Sequence, residues 1–333
     1  MRWRWSLLLV AMVLLAGCTV PLLDDSSDSV ESYPPGVSEN GAVNETKLLA
    51  EHFRAMNESV VRIDHRNGND SSLLIRGPNR TLSRSAISGT VWSGPRRSVS
   101  NDTWGDAEYT YDYQWNVTVR DRGGGPMIFG LVIRLSSGHY EHRGTRTVDG
   151  RTLHELELVE PRGMASGVGH YTGTALVDQQ GRIHRLSGAI GDSEQTADQY
   201  EYAFDWDVET VPQPSWVDAV PRIEANKSAD STTLLVSMGA GPSIPAGETL
   251  EFYHNGLEGT VELAEPLDPG ETLYVGFEGT REDGRVVAAR QPIDTESLRS
   301  LRGDRTSFGG TVTLEDGTVV SIELDVGRID FES

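Results

Sequence analysis

Five of the eight histidines fall between His139 and His184, the densest run of side chains able to do chemistry in this sequence. His139-Tyr140-Glu141-His142 has the residue types of a metal pair. On a strand, however, positions i and i+3 point to opposite faces and cannot meet at one ion. His154-Glu155 would open a zinc-protease signature, but Leu158 stands where that signature needs its second histidine. A single cysteine leaves no thiolates to supplement the imidazoles, so no metal site is expected. Gly191-Asp192-Ser193 has the letters of a hydrolase nucleophile block. Glu194 replaces its usual leucine, and no Asp lies three residues before any His. Gly163-Met164-Ala165-Ser166-Gly167 misses the spacing of a nucleophile elbow by one residue. Gly123-Gly124-Gly125 lacks the strand-to-helix setting of a phosphate loop and reads as a turn. Asp205 and Asp207 share a strand face and could touch a cation, although a solvated face in an acidic chain explains them as well. No catalytic residue, metal site or cofactor is expected, and the chain reads as non-enzymatic.

The lone cysteine offers a different chemistry. Leu15-Ala16-Gly17-Cys18 looks like a lipobox, at which a leader is cleaved and the new N-terminal cysteine is lipidated. Arg2 and Arg4 supply a positive start, and the apolar run of twelve residues from Trp5 to Ala16 suits a signal peptide but is too short to span a bilayer. The arginines are not adjacent, which does not support a twin-arginine route. Residues 1–17 are therefore expected to be a signal peptide, with Cys18 the lipid attachment site. Two acyl or alkyl chains on Cys18 give stable attachment, placing the protein at the cell membrane, lipid-anchored on its extracellular face. Residues 18–43 contain Asp24, Asp25, Asp28, Glu31 and several serines, and are expected to be a flexible tether.

The formal charge is −21, and loss of Arg2 and Arg4 with the leader makes it −23 (−21 − 2). Lys47 and Lys227 are the only lysines among 29 basic residues. Such acidity suits high salt, where a Debye length of a few Å screens self-repulsion, and points to a haloarchaeal source. It argues against nucleic acid as a partner, since no basic patch exchanges with phosphate counterions. A disulfide is excluded by the cysteine count. Seven Asn-x-Ser/Thr sequons occur, at Asn44, Asn57, Asn69, Asn79, Asn101, Asn116 and Asn226. Asn69, Asn79 and Asn101 are the candidates for N-glycosylation, because they fall between predicted elements.

Residues 44–210 read as a first domain. Asn44 can cap a helix in which Leu48, Leu49, His52, Phe53 and Met56 lie on one face. Strands are expected at 60–65, 72–76, 90–93, 128–135 and 151–159, with a hairpin joining 174–177 to 183–186 through Asp178-Gln179-Gln180-Gly181. Two strands are distinctive. Tyr109, Tyr111, Tyr113, Trp115, Val117 and Val119 alternate with polar residues, and so do Tyr200, Tyr202, Phe204, Trp206 and Val208. Tyr111, Tyr113, Trp115, Tyr202, Phe204 and Trp206 either fill a core between sheet and helix or line an open apolar concavity that holds a lipid. The proline-rich linker 211–221 then leads to a domain over 222–333. Strands are expected there at 231–238, 249–254, 260–263, 272–278, 285–289, 310–314 and 319–324, with a short helix over 294–301. That pattern suits a β-sandwich, a common spacer or contact module.

Four stretches carry a resemblance: Tyr33-Pro34-Pro35-Gly36-Val37-Ser38, Val148-Asp149-Gly150-Arg151-Thr152-Leu153, Thr174-Ala175-Leu176-Val177-Asp178 with Gly181, and Val208-Glu209-Thr210 to Pro214-Ser215-Trp216. Over roughly residues 1–220 they resemble a family of haloarchaeal lipobox-bearing surface lipoproteins of unknown function. The resemblance implies a first domain similar to the LolA and LprG type of lipoprotein-carrier and lipid-binding domain. The expected fold class is thus α+β: an N-terminal helix on a curved antiparallel sheet, LolA-like, followed by an all-β sandwich. Two functions compete. One is a lipid-anchored extracytoplasmic protein binding a lipid, another apolar ligand or an envelope protein. The other is a structural or adhesive module of the cell envelope without a small-molecule ligand.

Overall fold

In the computed structural model the described residues are 33–85, 89–101, 110–115, 125–280, 283–302 and 306–326. Helix α1 (Glu45–Glu58) begins where the Asn44 side chain accepts the backbone N–H of Lys47 at 2.9 Å. It ends at Ser59, and it buries Leu48, Leu49, His52 and Met56 along one stripe, as the 3.6-residue period requires. The stretch just before it, the expected end of the tether, already packs. Val37 bridges Val43, and Ala42 bridges Glu141. Gly36 holds φ +94°, and a Cβ there would lie 2.8 Å from the Asn44 carbonyl oxygen, so the turn into α1 needs glycine.

Six strands follow: β1 (Val61–Asn67), β2 (Asp70–Arg76), β3 (Thr81–Ser85), β4 (Gly89–Ser93), β5 (Arg97–Ser100) and β6 (Tyr111–Trp115). Helix α2 (Gly125–Ser136) leads into β7 (Gly138–Val148), β8 (Arg151–Pro161), β9 (His170–Val177), β10 (Ile183–Gly191) and β11 (Asp198–Asp205). The remaining strands are β12 (Ile223–Lys227), β13 (Thr233–Met238), β14 (Thr249–His254), β15 (Leu257–Glu262), β16 (Thr272–Glu278), β17 (Arg285–Ala289), β18 (Thr306–Thr313) and β19 (Val319–Val326).

Fifteen strands form one sheet in the order β15-β14-β18-β19-β6-β5-β4-β3-β2-β1-β11-β10-β9-β8-β7. A second sheet runs β12-β13-β16-β17. Neighbours are antiparallel except for β19 on β6, a parallel pair that sets Ile322 opposite Tyr113 and Leu324 opposite Trp115. The large sheet thus takes strands from both halves of the chain.

This architecture overturns the α+β class. Strand makes up 51% and helix 13% of the structure, so the protein is predominantly β, with a helix against the sheet as the surviving part of the expectation. Two local corrections accompany it. Residues 128–135, expected as a strand, lie in α2. Pro126 fits the first helical turn, where its missing N–H costs nothing. The run is apolar on every side, which hides the helical period and leaves strand-like Ile128, Val132 and Ile133 as the visible signal. Residues 294–301, expected as a helix, instead form a turn, and Leu298 bridges Glu278. Leu298 covers Gly276 so closely that a Cβ there would lie 2.6 Å from it.

Two apolar cores result. One joins the four-stranded sheet to β3–β6, β14, β18 and β19; the other lies under α1 and α2 and takes residues from β1 and β7–β11. Strand β2 serves both, because alternation sends Leu74 to the helix core and Ile75 to the other.

Candidate functional site

The two aromatic strands do not build one site. Tyr113 and Trp115 are buried in the core against the four-stranded sheet, and Tyr111 at its margin stacks on Trp216 with centroids 5.8 Å apart. The Tyr113 hydroxyl donates to the Ile223 carbonyl at 2.6 Å and accepts the Ile223 N–H at 3.2 Å, which ties β6 to the start of β12. Tyr202, Phe204 and Trp206 belong to the helix core. Phe204 and Trp206 stack at 6.4 Å, the His52 ring meets both edge-on, and Trp206 Nε1 donates to the Ile183 carbonyl at 3.0 Å. Packed rings therefore fill the space beneath α1.

Tyr202 is the exception in position, because it lies under α2. A Cβ on Gly130 would come within 2.5 Å of the Tyr202 hydroxyl, so this glycine lets the helix sit directly on β11. At the C-terminal end of α2, the Arg134 carbonyl accepts hydroxyls from Tyr171 and Tyr140, and the Arg134 guanidinium lies 4.6 Å above the Tyr200 ring. The two hydroxyls thus give the helix end a partner for one of its terminal carbonyls, and the cation–π contact adds to the hold. The Tyr140 and Tyr200 hydroxyls occupy the space over Gly173, where a Cβ would meet them at 2.7 and 3.0 Å. Burial is the first cause raising the phenol pKa of Tyr140, Tyr171 and Tyr200, and it pushes that of Tyr202 up to about 12. The cluster consequently donates hydrogen bonds and does not supply a base or nucleophile near neutral pH.

The rest of α2 is apolar, and its Met127 and Ile128 pack against the helix core. Met127, Ile128, Val132 and Ile133 are half-buried, while Phe129 is 65% exposed. Sequence reasoning missed this element. Its signal was a twelve-residue length with a Gly-Pro start, longer than the usual strand. The seam between α2 and the tyrosines of β7, β9 and β11 is the candidate site.

The remaining candidates fall elsewhere. His154 Nδ1 faces His142 Nε2 at 3.1 Å, with Tyr33 edge-on to His142. His139 faces Glu45, and His184 pairs with Asp178. Among the described residues no three metal-ligating groups converge. Ser193 bonds Thr196, Asp207 pairs with Arg151, and Asp205 accepts the Asp207 N–H. Asn69, Asn79 and Asn101 are exposed, in the turn after β1, the turn after β2 and just past β5. Cys18 lies outside the described residues, as do Tyr109, Asn116, Val117 and Val119.

No protein-family model matches the chain, and no curated protein matches it. The haloarchaeal family resemblance therefore has no matching model or relative behind it. Among solved structures, LprF from Mycobacterium bovis is 11% identical, with 51% of this chain and 96% of that chain covered at a TM-score of 0.32. The MucA/MucB complex of Pseudomonas aeruginosa is 11% identical, with 77% and 98% covered at a TM-score of 0.28. What the comparisons establish is a weak structural similarity to LprF and MucB.

Proposed function

We propose that the protein is a non-enzymatic, extracytoplasmic binding protein, held on the outer face of the cell membrane through Cys18. An apolar ligand enters at the seam beneath α2. The observation that carries this reading is Phe129, 65% exposed on an apolar helix that lies over Tyr202. A helix so arranged offers Phe129, with Met127 and Ile128 beside it at the edge of the core, to an acyl or alkyl chain. The filled space beneath α1 confines the ligand to α2. Exposed Asn69, Asn79 and Asn101 accept glycans in the same extracytoplasmic setting.

The test combines native mass spectrometry of protein taken from its own membranes with titration of a fluorescent lipid into the wild type, Phe129→Asp and Gly130→Leu. A retained or titrated lipid is expected. Phe129→Asp should weaken its uptake, and Gly130→Leu, which forces α2 off the Tyr202 hydroxyl, should change it without unfolding the sheet. A wild type that carries and takes up no lipid refutes ligand binding. That result would favour the competing reading, a contact module of the envelope, which the two filled aromatic cores support.

A further inference from the structure

The face of β1, β2, β9, β10 and β11 turned away from α1 and α2 is open. Cross-strand register places Arg66 beside Ser71 and Glu201, and a row Arg84-Leu73-Asp64-Ala203 across four strands, all on this face. Two adjoining clefts of about 550 Å³ each occupy it and share Arg66. One is walled by Arg62, Asp64, Ser71 and Arg84, the other by Glu157, Thr172, Arg185, Ser187 and Glu201.

The charges here do not match the rest of the chain. Each carboxylate lining the clefts already has an arginine: Asp64 holds Arg62 at 2.8 Å, Glu157 holds Arg143 at 2.8 Å, and Glu201 holds Arg185 at 2.8 Å. Asp198 stands at the rim beside Gly68. Arg66 and Arg84 are exposed, and among the described residues neither has a carboxylate partner. In a chain of formal charge −21, two surplus guanidinium groups in one groove are the reverse of a generic acidic surface. Strand spacing sets their Cα atoms about 12 Å apart, farther than one small anion bridges. A guanidinium fork fits the oxygens of a sulfate or phosphate. Ser71, Thr172 and Ser187 add hydroxyl donors between and beside the arginines. The groove is open along its length, which suits an extended ligand rather than an enclosed small molecule.

We propose that this groove binds sulfate or phosphate ester groups repeated along a soluble, extended anionic chain. The site is separate from the seam under α2, on the opposite face of the sheet.

Binding is measured at the lowest salt at which circular dichroism shows the fold intact, since screening weakens such contacts. The probes are inorganic phosphate, a sulfated dextran oligomer and vesicles containing an anionic phospholipid. The sulfated dextran should bind more tightly than inorganic phosphate. Arg66→Ala with Arg84→Ala should weaken it tenfold or more, and Arg84→Glu should abolish it, with melting temperature unchanged. Arg54→Ala on α1 serves as the charge control and Phe129→Asp as the control for the other site; neither should change binding. Binding to the vesicles but not to the dextran points to a membrane contact and overturns the proposal. No binding to any probe, or an equal loss in Arg54→Ala, overturns it.

Discussion

Buried His52 should make this protein lose stability in acid beyond what its carboxylates account for. Its ring is wholly buried under α1, Nδ1 accepts the Ile183 N–H at 3.2 Å, and Nε2 has no hydrogen-bond partner among the packed rings of Phe204 and Trp206. Burial drives its pKa down to about 3, with Asp178 pulling the other way and His184 adding a smaller push downward. The unfolded imidazole titrates near 6.5. Between these values the unfolded chain binds a proton that the native state refuses, so stability rises with pH. The contribution is complete above about pH 6.5 and is lost as pH falls toward 3, at up to about 1.4 kcal/mol per pH unit. From pH 6 to pH 4.5 the loss is roughly 2 kcal/mol. His52→Asn keeps an acceptor near the Ile183 N–H and cannot titrate. Urea unfolding of both proteins at pH 6 and 4.5, in the same salt, cancels the carboxylates they share. The wild-type advantage should shrink by roughly 2 kcal/mol over that interval. A gap that stays constant with pH would show that His52 is not held neutral by burial.

Three further outcomes are expected. Tyr113→Phe strips the Ile223 carbonyl and N–H of their shared buried partner and should cost about 1–3 kcal/mol, read as a lower urea midpoint with unchanged slope. Cys18→Ser should move the protein from membranes to the medium or leave it unprocessed, and a mature-sized product still in the membrane fraction contradicts the anchor. Melting temperature should rise along a potassium chloride series, given the charge of −21; a higher value at low salt than at high salt refutes the halophilic reading.

Local signals were legible and long-range ones were not. Asn44 and the stripe Leu48, His52 and Met56 announced α1, because cap and periodicity are short-range properties. The alternation of Tyr200, Tyr202, Phe204 and Trp206 showed which residues share a face for the same reason. So did Asp178 to Gly181, where the Gly181 N–H closes the turn on the Asp178 carbonyl. The apolar run Met127–Leu135 carries no helical period, so only its length and Gly-Pro start separate it from a buried strand, and α2 was lost with it. The pairing of β19 with β6 joins residues more than two hundred positions apart, so the aromatic residues of β6 could not be assigned to a core separate from that of β11. Arg66 and Arg84 are ordinary strand arginines until register sets them on one open face.

The parallel pair β6–β19 also has a consequence for the order of assembly. Strand β6 can form its ladder with β5 early, but its other edge stays unpaired until Val319–Val326 has been made. From Trp115 to Val326 there are 211 residues (326 − 115), and at about 5–20 residues per second that wait lasts roughly 10–40 s. For about the first half of it (223 − 115 = 108 residues) Tyr113 has no Ile223 to bond, and throughout it Trp115 awaits Leu324. An unpaired apolar edge is the usual template for mispairing between chains. A chain released before β19 would thus carry a sticky seam inside its largest sheet, and β19 acts as the clasp that closes it.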